Sequence, residues 1–394
     1  MEPLILFGII LALALNFVNG LNDASHSIAT VVATKSLSPK WAVVLTSICN
    51  VLGPFIFTTA VATTIGTSIV HPDSLNPVSI IVAMGAAIML VFVATRSGIP
   101  ISSSHAMVGG LLGAGIGAFG LAAVILPGAS TFIDLGIAAL AGGITGAVVL
   151  GILTAALKGE VRLGILIGAV CGGLLAIPVL MLLGALKITG LLAIVLFILI
   201  SPVMGMTAAF LFNIIISHLF QHRKQGRVRR IFKPLHVIAC LIQAAGHGAN
   251  DGQHAVGVIA ALLVSAGILS SFSIPSWVLI SSALAIGLGT VFGGWQVVDK
   301  MARKITKIRP YQGFSAATAG SATLAMVTSY GVPVSSTHVI SGAIIGVGAT
   351  RGKNAVQWEV VREMMTAWVI TIPLAMVCSL FGYFIVSFFI TMLY

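Results

Sequence analysis

Three apolar runs follow one another in the middle of the chain and constrain its fold more than any other feature. They are Leu135–Leu157, Leu163–Leu186 and Leu191–Ile216, and a helix that spans a bilayer needs about 20 apolar residues. Only 7% of the 394 residues are charged, whereas a soluble domain carries roughly 25%. Similar runs recur nearly end to end. The sequence therefore predicts an all-α polytopic protein of about 10–12 transmembrane helices, with the lipid bilayer as its partner.

The basic residues outnumber the acidic ones, 20 to 9, but they concentrate in a few short segments. The densest is 218–233, which contains Arg223, Lys224, Arg227, Arg229, Arg230 and Lys233. Loops that remain in the cytoplasm carry such an excess of Lys and Arg. We therefore predict a short basic cytoplasmic loop at 218–233 and no nucleic-acid partner. The four cysteines lie singly in apolar runs, which argues against a zinc site.

An acidic motif occurs twice in apolar surroundings. Gly-Leu-Asn-Asp-Ala-Ser-His begins at Gly20, and Gly-Ala-Asn-Asp-Gly-Gln-His begins at Gly248. A carboxylate inside a bilayer costs several kcal/mol unless it is paired, protonated or hydrated, so Asp23 and Asp251 are predicted to be functional; the alternative is that they are buried acids paired to neighbouring hydroxyls. Carboxylate and amide oxygens suit a hard cation such as Na⁺. We assign Asp23, Asp251, Asn22 and Asn250 to Na⁺, and expect glycines of both motifs (Gly20, Gly248 and Gly252) to let the backbone unwind.

A second motif follows each acidic one by about eighty residues. It reads Pro100-Ile-Ser-Ser-Ser-His in the first half and Pro333-Val-Ser-Ser-Thr-His in the second. Proline suits the first turn of a helix, and free N–H groups at a helix start bind anions. The predicted anion-binding residues, which the family resemblance below makes phosphate-binding, are Ser102, Ser103, Ser104, Ser335, Ser336 and Thr337, with Asn22, Asn250 and Gln253 assisting. The alternative is that these serines only cap helices.

The duplication defines the predicted organisation of the chain. The first acidic motif is followed by Lys35 and Lys40, whereas the second is preceded by the basic segment, so the halves point in opposite directions. Inverted repeats with interrupted segments at matching positions are typical of alternating-access transporters. We predict repeats at 1–120 and 234–350 with broken or re-entrant hairpin helices, connecting transmembrane helices at 121–217, and a final helix at 351–394.

The charges of the four motifs predict cation coupling. Inorganic phosphate carries about one to two negative charges near neutral pH, and two ionised aspartates add to them. No Lys or Arg lies within the motifs, so the anion needs accompanying cations. Na⁺ is the predicted co-transported ion, and no organic cofactor is expected. Four repeated histidines offer the alternative of a proton or hydrogen-bond relay: His26, His105, His254 and His338.

The two acidic motifs, the paired Pro-x-Ser-Ser-(Ser/Thr)-His segments and the basic central segment together resemble the inorganic phosphate transporter family. The resemblance covers both halves. It implies Na⁺- or H⁺-coupled phosphate symport in the cell membrane, an N-terminus outside, and one site formed by all four motifs. Ser25-His26 and Gln253-His254 stand where the commonest family form has Ala-Asn, and histidine could take up a proton there. A homodimer is one expected assembly.

Three other functions fit parts of the pattern. A sulfate permease of the same family is the nearest, although a site with both donors and acceptors favours phosphate because sulfate has no proton to donate at neutral pH. Two membrane aspartates could also form an aspartyl protease, but a protease needs no paired Ser/Thr helix starts. A passive anion channel would need neither repeated acids nor cation ligands. We therefore predict a transporter and not an enzyme.

Overall fold

The computed structural model describes residues 2–56, 58–71, 74–156, 160–188, 190–293, 295–299 and 305–393. Within these residues the structure is almost entirely helical, as predicted. The helices are α1 (Pro3–Ala33), α2 (Pro39–Leu52), α3 (Ala60–Thr67), α4 (Pro77–Arg96), α5 (Ser103–Phe119), α6 (Ala129–Ala156), α7 (Val161–Leu182), α8 (Gly190–Phe220), α9 (Gln225–Asp251), α10 (Gln253–Ser265), α11 (Ser276–Phe292), α12 (Trp295–Asp299), α13 (Pro310–Ser329), α14 (Ser336–Ala349) and α15 (Trp358–Leu393).

Seven helices of the described chain are long and apolar enough to cross a membrane. The bent segment formed by α2 and α3, with 73° between its two parts, raises this number to eight. Helices α9 and α13 have 27 and 20 residues but bury many polar side chains inside the protein. Helix α9 also carries exposed basic residues in its first turns, whereas the buried polar residues of α13 include Gln312, Ser315 and Thr328.

Corresponding helices of the two halves have corresponding neighbours. Helix α1 packs on α4 and α11, and α9 packs on α13 and α2. Helices α4 and α5 form one hairpin and α13 and α14 form another; α15 packs on α5, and α8 packs on α14. Each hairpin folds back at a short loop, 97–102 in the first half and 330–335 in the second. The helical hairpins predicted from the two proline motifs are therefore present.

The glycines of the acidic motifs serve helix packing. A methyl group added at Gly20 would lie 2.1 Å from the carbonyl oxygen of Ile286, and one at Gly248 would lie 2.1 Å from that of Asn50. Small residues permit this approach of membrane helices. The predicted unwinding is wrong at Gly20 and Gly248, because α1 and α9 continue through them; within the second acidic motif the helix is interrupted only at Gly252, between α9 and α10.

The basic segment is mostly helical. Helix α8 extends to Phe220 and α9 begins at Gln225, so the predicted loop at 218–233 is reduced to a short turn. Arg, Lys and Gln are good helix formers, and most of the basic side chains here are exposed. A helix can therefore carry these charges to water as well as a loop can.

Helices α6 and α7 form a peripheral pair. Glycines interlock their backbones, since a methyl group at Gly146 would lie 2.1 Å from the carbonyl oxygen of Gly168. The outer face of α6 exposes Ile137, Leu140 and Ile144 by 60% or more. In a chain with this many apolar helices, such a face is suited to lipid.

Candidate functional site

The two aspartates of the acidic motifs meet at one buried site. Asp23 on α1 and Asp251 at the end of α9 are 2% and 0% exposed. The Nε2 atom of His247 lies 2.9 Å from Oδ2 of Asp251 and 3.5 Å from Oδ2 of Asp23. One imidazole thus contacts a carboxylate from each repeat, and the site lies where the repeats face one another.

Asn22 links its own aspartate to the tip of the first hairpin. Its Nδ2 donates to Oδ1 of Asp23 at 2.7 Å and to the carbonyl oxygen of Ile101 at 3.1 Å. Its Oδ1 accepts a hydrogen bond from the hydroxyl of Thr95 at 2.9 Å. The amide therefore spans from the end of α4 to the loop before α5.

Asn250 repeats this arrangement in the second half. Its Nδ2 donates to Oδ1 of Asp251 at 2.7 Å and to the carbonyl oxygen of Val334 at 2.6 Å. Its Oδ1 accepts from Thr328 at 3.3 Å. Each asparagine thus holds a hairpin tip against an aspartate. This structural role is additional to the role as a ligand that the sequence predicts.

The hydroxyls that follow the hairpin tips reach both aspartates. The Ser103 hydroxyl, whose shorter hydrogen bond goes to Oδ1 of Asn19, lies 3.4 Å from Oδ2 of Asp23, and Ser336 donates to Oδ2 of Asp251. The next residue of each hairpin crosses to the other repeat: Ser104 donates to Oδ1 of Asp251 at 3.4 Å. In the same way, Thr337 donates to Oδ1 of Asp23 at 3.3 Å. Four of the six predicted hydroxyls are therefore at the acids.

The other two predicted hydroxyls, those of Ser102 and Ser335, cap helices. Ser102 accepts a hydrogen bond from the backbone N–H of His105 at 3.2 Å, and Ser335 accepts one from that of His338 at 3.4 Å. Ser, Thr, Asp and Asn commonly occupy this position because they satisfy an otherwise free N–H group. The helices begin one residue later, so the prolines lie outside them and the prediction that they occupy the first turn is wrong.

Gln253 is directed to the backbone of neighbouring helices. Its Nε2 donates to the carbonyl oxygens of Thr58 at 2.6 Å and Ala249 at 2.7 Å, and its Oε1 accepts from the N–H of Ala62 at 3.0 Å. Both amide hydrogens and the amide oxygen are thus engaged away from the carboxylates. The structure ties Gln253 to α3 and α9.

The repeated histidines occupy two different settings. His254 lies 3.7 Å from Oδ1 of Asp251 through its Nε2 atom. His105 and His338 stack edge to face across the two hairpins, with ring centroids 4.8 Å apart. The ring of Trp368 packs 4.1 Å from that of His338, and its Nε1 donates to the carbonyl oxygen of Pro100. The side chain of His26 lies outside the described residues.

Sequence reasoning missed two residues of the site. His247 precedes Asp251 by four positions, and Asn19, whose Oδ1 accepts from Ser103 at 2.6 Å, precedes Asp23 by four. Residues four apart lie on the same face of a helix. That spacing was the available signal, but the polar residue before each motif was not considered.

The site combines atoms that can ligate a cation with N–H and O–H groups that can donate to an anion. One ligand atom from each of Asp23, His247 and Asp251 lies within 4.8 Å of the other two, a spacing that can hold a cation. Hydroxyls and the first N–H groups of α5 and α14 supply donors. The motifs contain no Lys or Arg, so a bound cation or the imidazole of His247 is the available source of positive charge beside an anion.

Comparison with known proteins identifies the chain. The family model described as the Phosphate transporter family matches residues 19–167 and 162–379. The chain belongs to the Phosphate transporter family. Membership in this family makes the chain a multi-pass membrane transporter for phosphate. The aspartyl protease alternative is therefore excluded.

Relatives of this Phosphate transporter family member align with it over nearly its whole length. A probable low-affinity inorganic phosphate transporter of Rhizobium meliloti is 37% identical, with 97% of this chain and 96% of that protein covered. One of Bacillus subtilis is 32% identical, with 96% of each covered. A solved structure described as the sodium-dependent phosphate transporter has a TM-score of 0.70 at 24% identity, covering 98% of this chain and all of that one. This last likeness supports the fold.

Proposed function

We propose that this phosphate transporter is a Na⁺-coupled symporter that carries phosphate into the cell by alternating access between its two repeats. The N-terminus is then outside and the turn between α8 and α9 is cytoplasmic. One observation carries the proposal: each carboxylate of the site contacts hydroxyls from both hairpins. Relative movement of the repeats must break or remake these contacts, so occupancy of the site and conformation are coupled.

Asp23 and Asp251 are the proposed cation ligands, with His247 between them. The amide oxygens of Asn22 and Asn250 add ligand capacity through their second lone pairs. The proposed phosphate ligands are hydroxyls and N–H groups at the starts of α5 and α14, namely those of Ser103, Ser104, Ser336 and Thr337. Cation binding neutralises the carboxylates, which frees these hydroxyls to donate to the anion.

The charge balance favours uptake in the inward direction. When the entering cations outnumber the negative charges of the phosphate that they accompany, each net positive charge moved inward gains about 2.3 kcal/mol per 100 mV of an inside-negative potential. The name of the solved structural relative, the sodium-dependent phosphate transporter, agrees with Na⁺ as the ion. Proton coupling is the second candidate, because His247 and His254 both contact Asp251.

Radiolabelled phosphate uptake into proteoliposomes tests the proposal. An inward Na⁺ gradient and an inward proton gradient are applied separately at matched membrane potential. Accumulation driven by Na⁺ alone supports the proposal; accumulation driven by protons alone replaces it with the proton-coupled candidate. Uptake to no more than equilibrium under both gradients would indicate a channel.

Two substitutions test the assigned cation ligands. Asp23→Asn and Asp251→Asn preserve shape but remove the charge, so both should abolish the cation-driven accumulation. Asp134→Asn is the matched control, because Asp134 is exposed on α6. Full cation-coupled uptake by either site variant would show that the assignment is wrong.

A further inference from the structure

A second concentration of charge lies away from the transport site. A cavity of about 630 Å³ opens where α1 ends and where α9 and α13 begin. Its basic lining residues are Lys35, Arg223, Arg229 and Arg309. None of the described residues that line it is acidic. Ten residues of α1, about 15 Å of helix, separate Asp23 from Ala33, the lining residue at the end of that helix.

The four cations come from three separate parts of the chain. Lys35 follows α1, Arg223 and Arg229 belong to the turn before α9 and to its first turns, and Arg309 is the N-cap of α13. Lys35 has a φ of +53°, the only positive φ among non-glycine residues of the described chain. Glycine usually occupies such a position after a helix. A lysine here supplies a side chain at the cost of backbone strain.

The cavity also offers neutral donors. The hydroxyls of Ser217 and Tyr311 and the amide of Gln221 are among its lining groups. Hydroxyls, amides and guanidinium groups all donate to phosphoryl oxygens, and the planar fork of arginine does so through two bonds at once. The lining is therefore matched to an anion with several acceptor oxygens.

The orientation of the protein does not by itself account for this cavity. The positive-inside rule places Lys and Arg on one side of the membrane, but it does not require them to converge on one opening. A second cavity, of about 550 Å³ between α4 and α15, is lined by Arg362 together with Glu359 and Glu363. Acids there offset the cation, whereas the basic cavity has no such offset.

We propose that the basic cavity is a second anion site, which binds a ligand bearing several phosphoryl charges. A volume of about 630 Å³ falls in the range of small-molecule pockets, roughly 300–1,000 Å³, and leaves room for a chain of phosphoryl groups. The ligand is either a free polyphosphate-like anion or the phosphate headgroup of an anionic lipid. Because α1 and α13 belong to different repeats, a bound anion ties them together and slows the transport cycle.

Binding is tested on the full-length transporter in nanodiscs of zwitterionic lipid, with tripolyphosphate as the probe and calorimetry as the readout. The test variant is Arg223→Gln with Arg229→Gln. The control is Arg227→Gln with Arg230→Gln, which removes the same charge from the same segment but from residues outside the lining. Loss of two charged donors should weaken binding about tenfold or more in the test variant, and the control should stay within about twofold of the parent.

A lipid arm distinguishes the two sources. If the headgroup of an anionic lipid fills the cavity, adding cardiolipin, which carries two phosphates, to the nanodisc raises the thermal stability of the parent and the control but not of the test variant, and it displaces tripolyphosphate; if the ligand is a free anion, cardiolipin changes neither stability nor tripolyphosphate binding. Equal weakening in test and control variants, or no response to either probe, overturns the proposal. Basal phosphate uptake measured without tripolyphosphate shows that the test variant is folded. If the proposed Na⁺ coupling of transport proved wrong, these binding results would be unaffected.

Discussion

Replacing Asn250 with alanine should disable transport by releasing the second hairpin tip. The side chain donates to the carbonyl oxygen of Val334 at 2.6 Å and to Oδ1 of Asp251 at 2.7 Å. The variant leaves both acceptors without these donors in a buried site. A lost bond to a neutral buried acceptor costs about 1–3 kcal/mol and one to a charged group about 1.5–3 kcal/mol. The ordered tip should therefore lose about 3 kcal/mol or more, which lowers its population roughly a hundredfold or more.

The assay compares initial rates of phosphate uptake in proteoliposomes with thermal unfolding of the same preparations. Asn213→Ala is the matched control, since this buried asparagine on α8 donates to the hydroxyl of Thr350 at 2.8 Å and lies outside the acidic motifs. Both variants should be less stable, but only Asn250→Ala should lose most uptake. Equal retention of uptake, or losses that follow stability alone, would refute the positioning role of Asn250.

Three further changes have distinct expected results. His247→Ala removes the imidazole between the two carboxylates, whose repulsion at close range is about 4 kcal/mol. The thermal stability of the variant should fall at low Na⁺, and NaCl should restore it more than it stabilises the parent. An unchanged response to salt would contradict this. Ser336→Ala should abolish most uptake, whereas Ser335→Ala should cost only about 1 kcal/mol of stability as a lost cap; rates and unfolding curves separate the two. Gly146→Leu should disrupt the α6–α7 pair and lower the yield of folded protein, and Gly136→Leu, with open space around it, should behave like the parent in size-exclusion chromatography.

Several parts of the fold could be predicted because they depend on local sequence. Apolar runs of bilayer length can satisfy their backbone hydrogen bonds in a membrane only as helices or closed barrels, and the repeated motifs marked matching positions in the halves. The same reasoning placed the hairpin tips, since Pro100 and Pro333 interrupt the helical pattern. It misjudged the basic segment, because charge indicates exposure to water but does not distinguish a loop from an exposed helix.

The sequence by itself determined that the chain is a membrane protein, that it is duplicated, and that Asp23 and Asp251 are the matching acids of its two halves. Each of these inferences rests on composition or on a repeated motif. Only the tertiary structure decided which groups meet. Ser104 contacts Asp251, and Thr337 contacts Asp23, across 147 and 314 positions of the chain. Such contacts depend on how the two inverted halves pack, and no local periodicity encodes that packing. The same packing places His247 between Asp23 and Asp251. It also lets Asn22 and Asn250 form hydrogen bonds with the two hairpin tips.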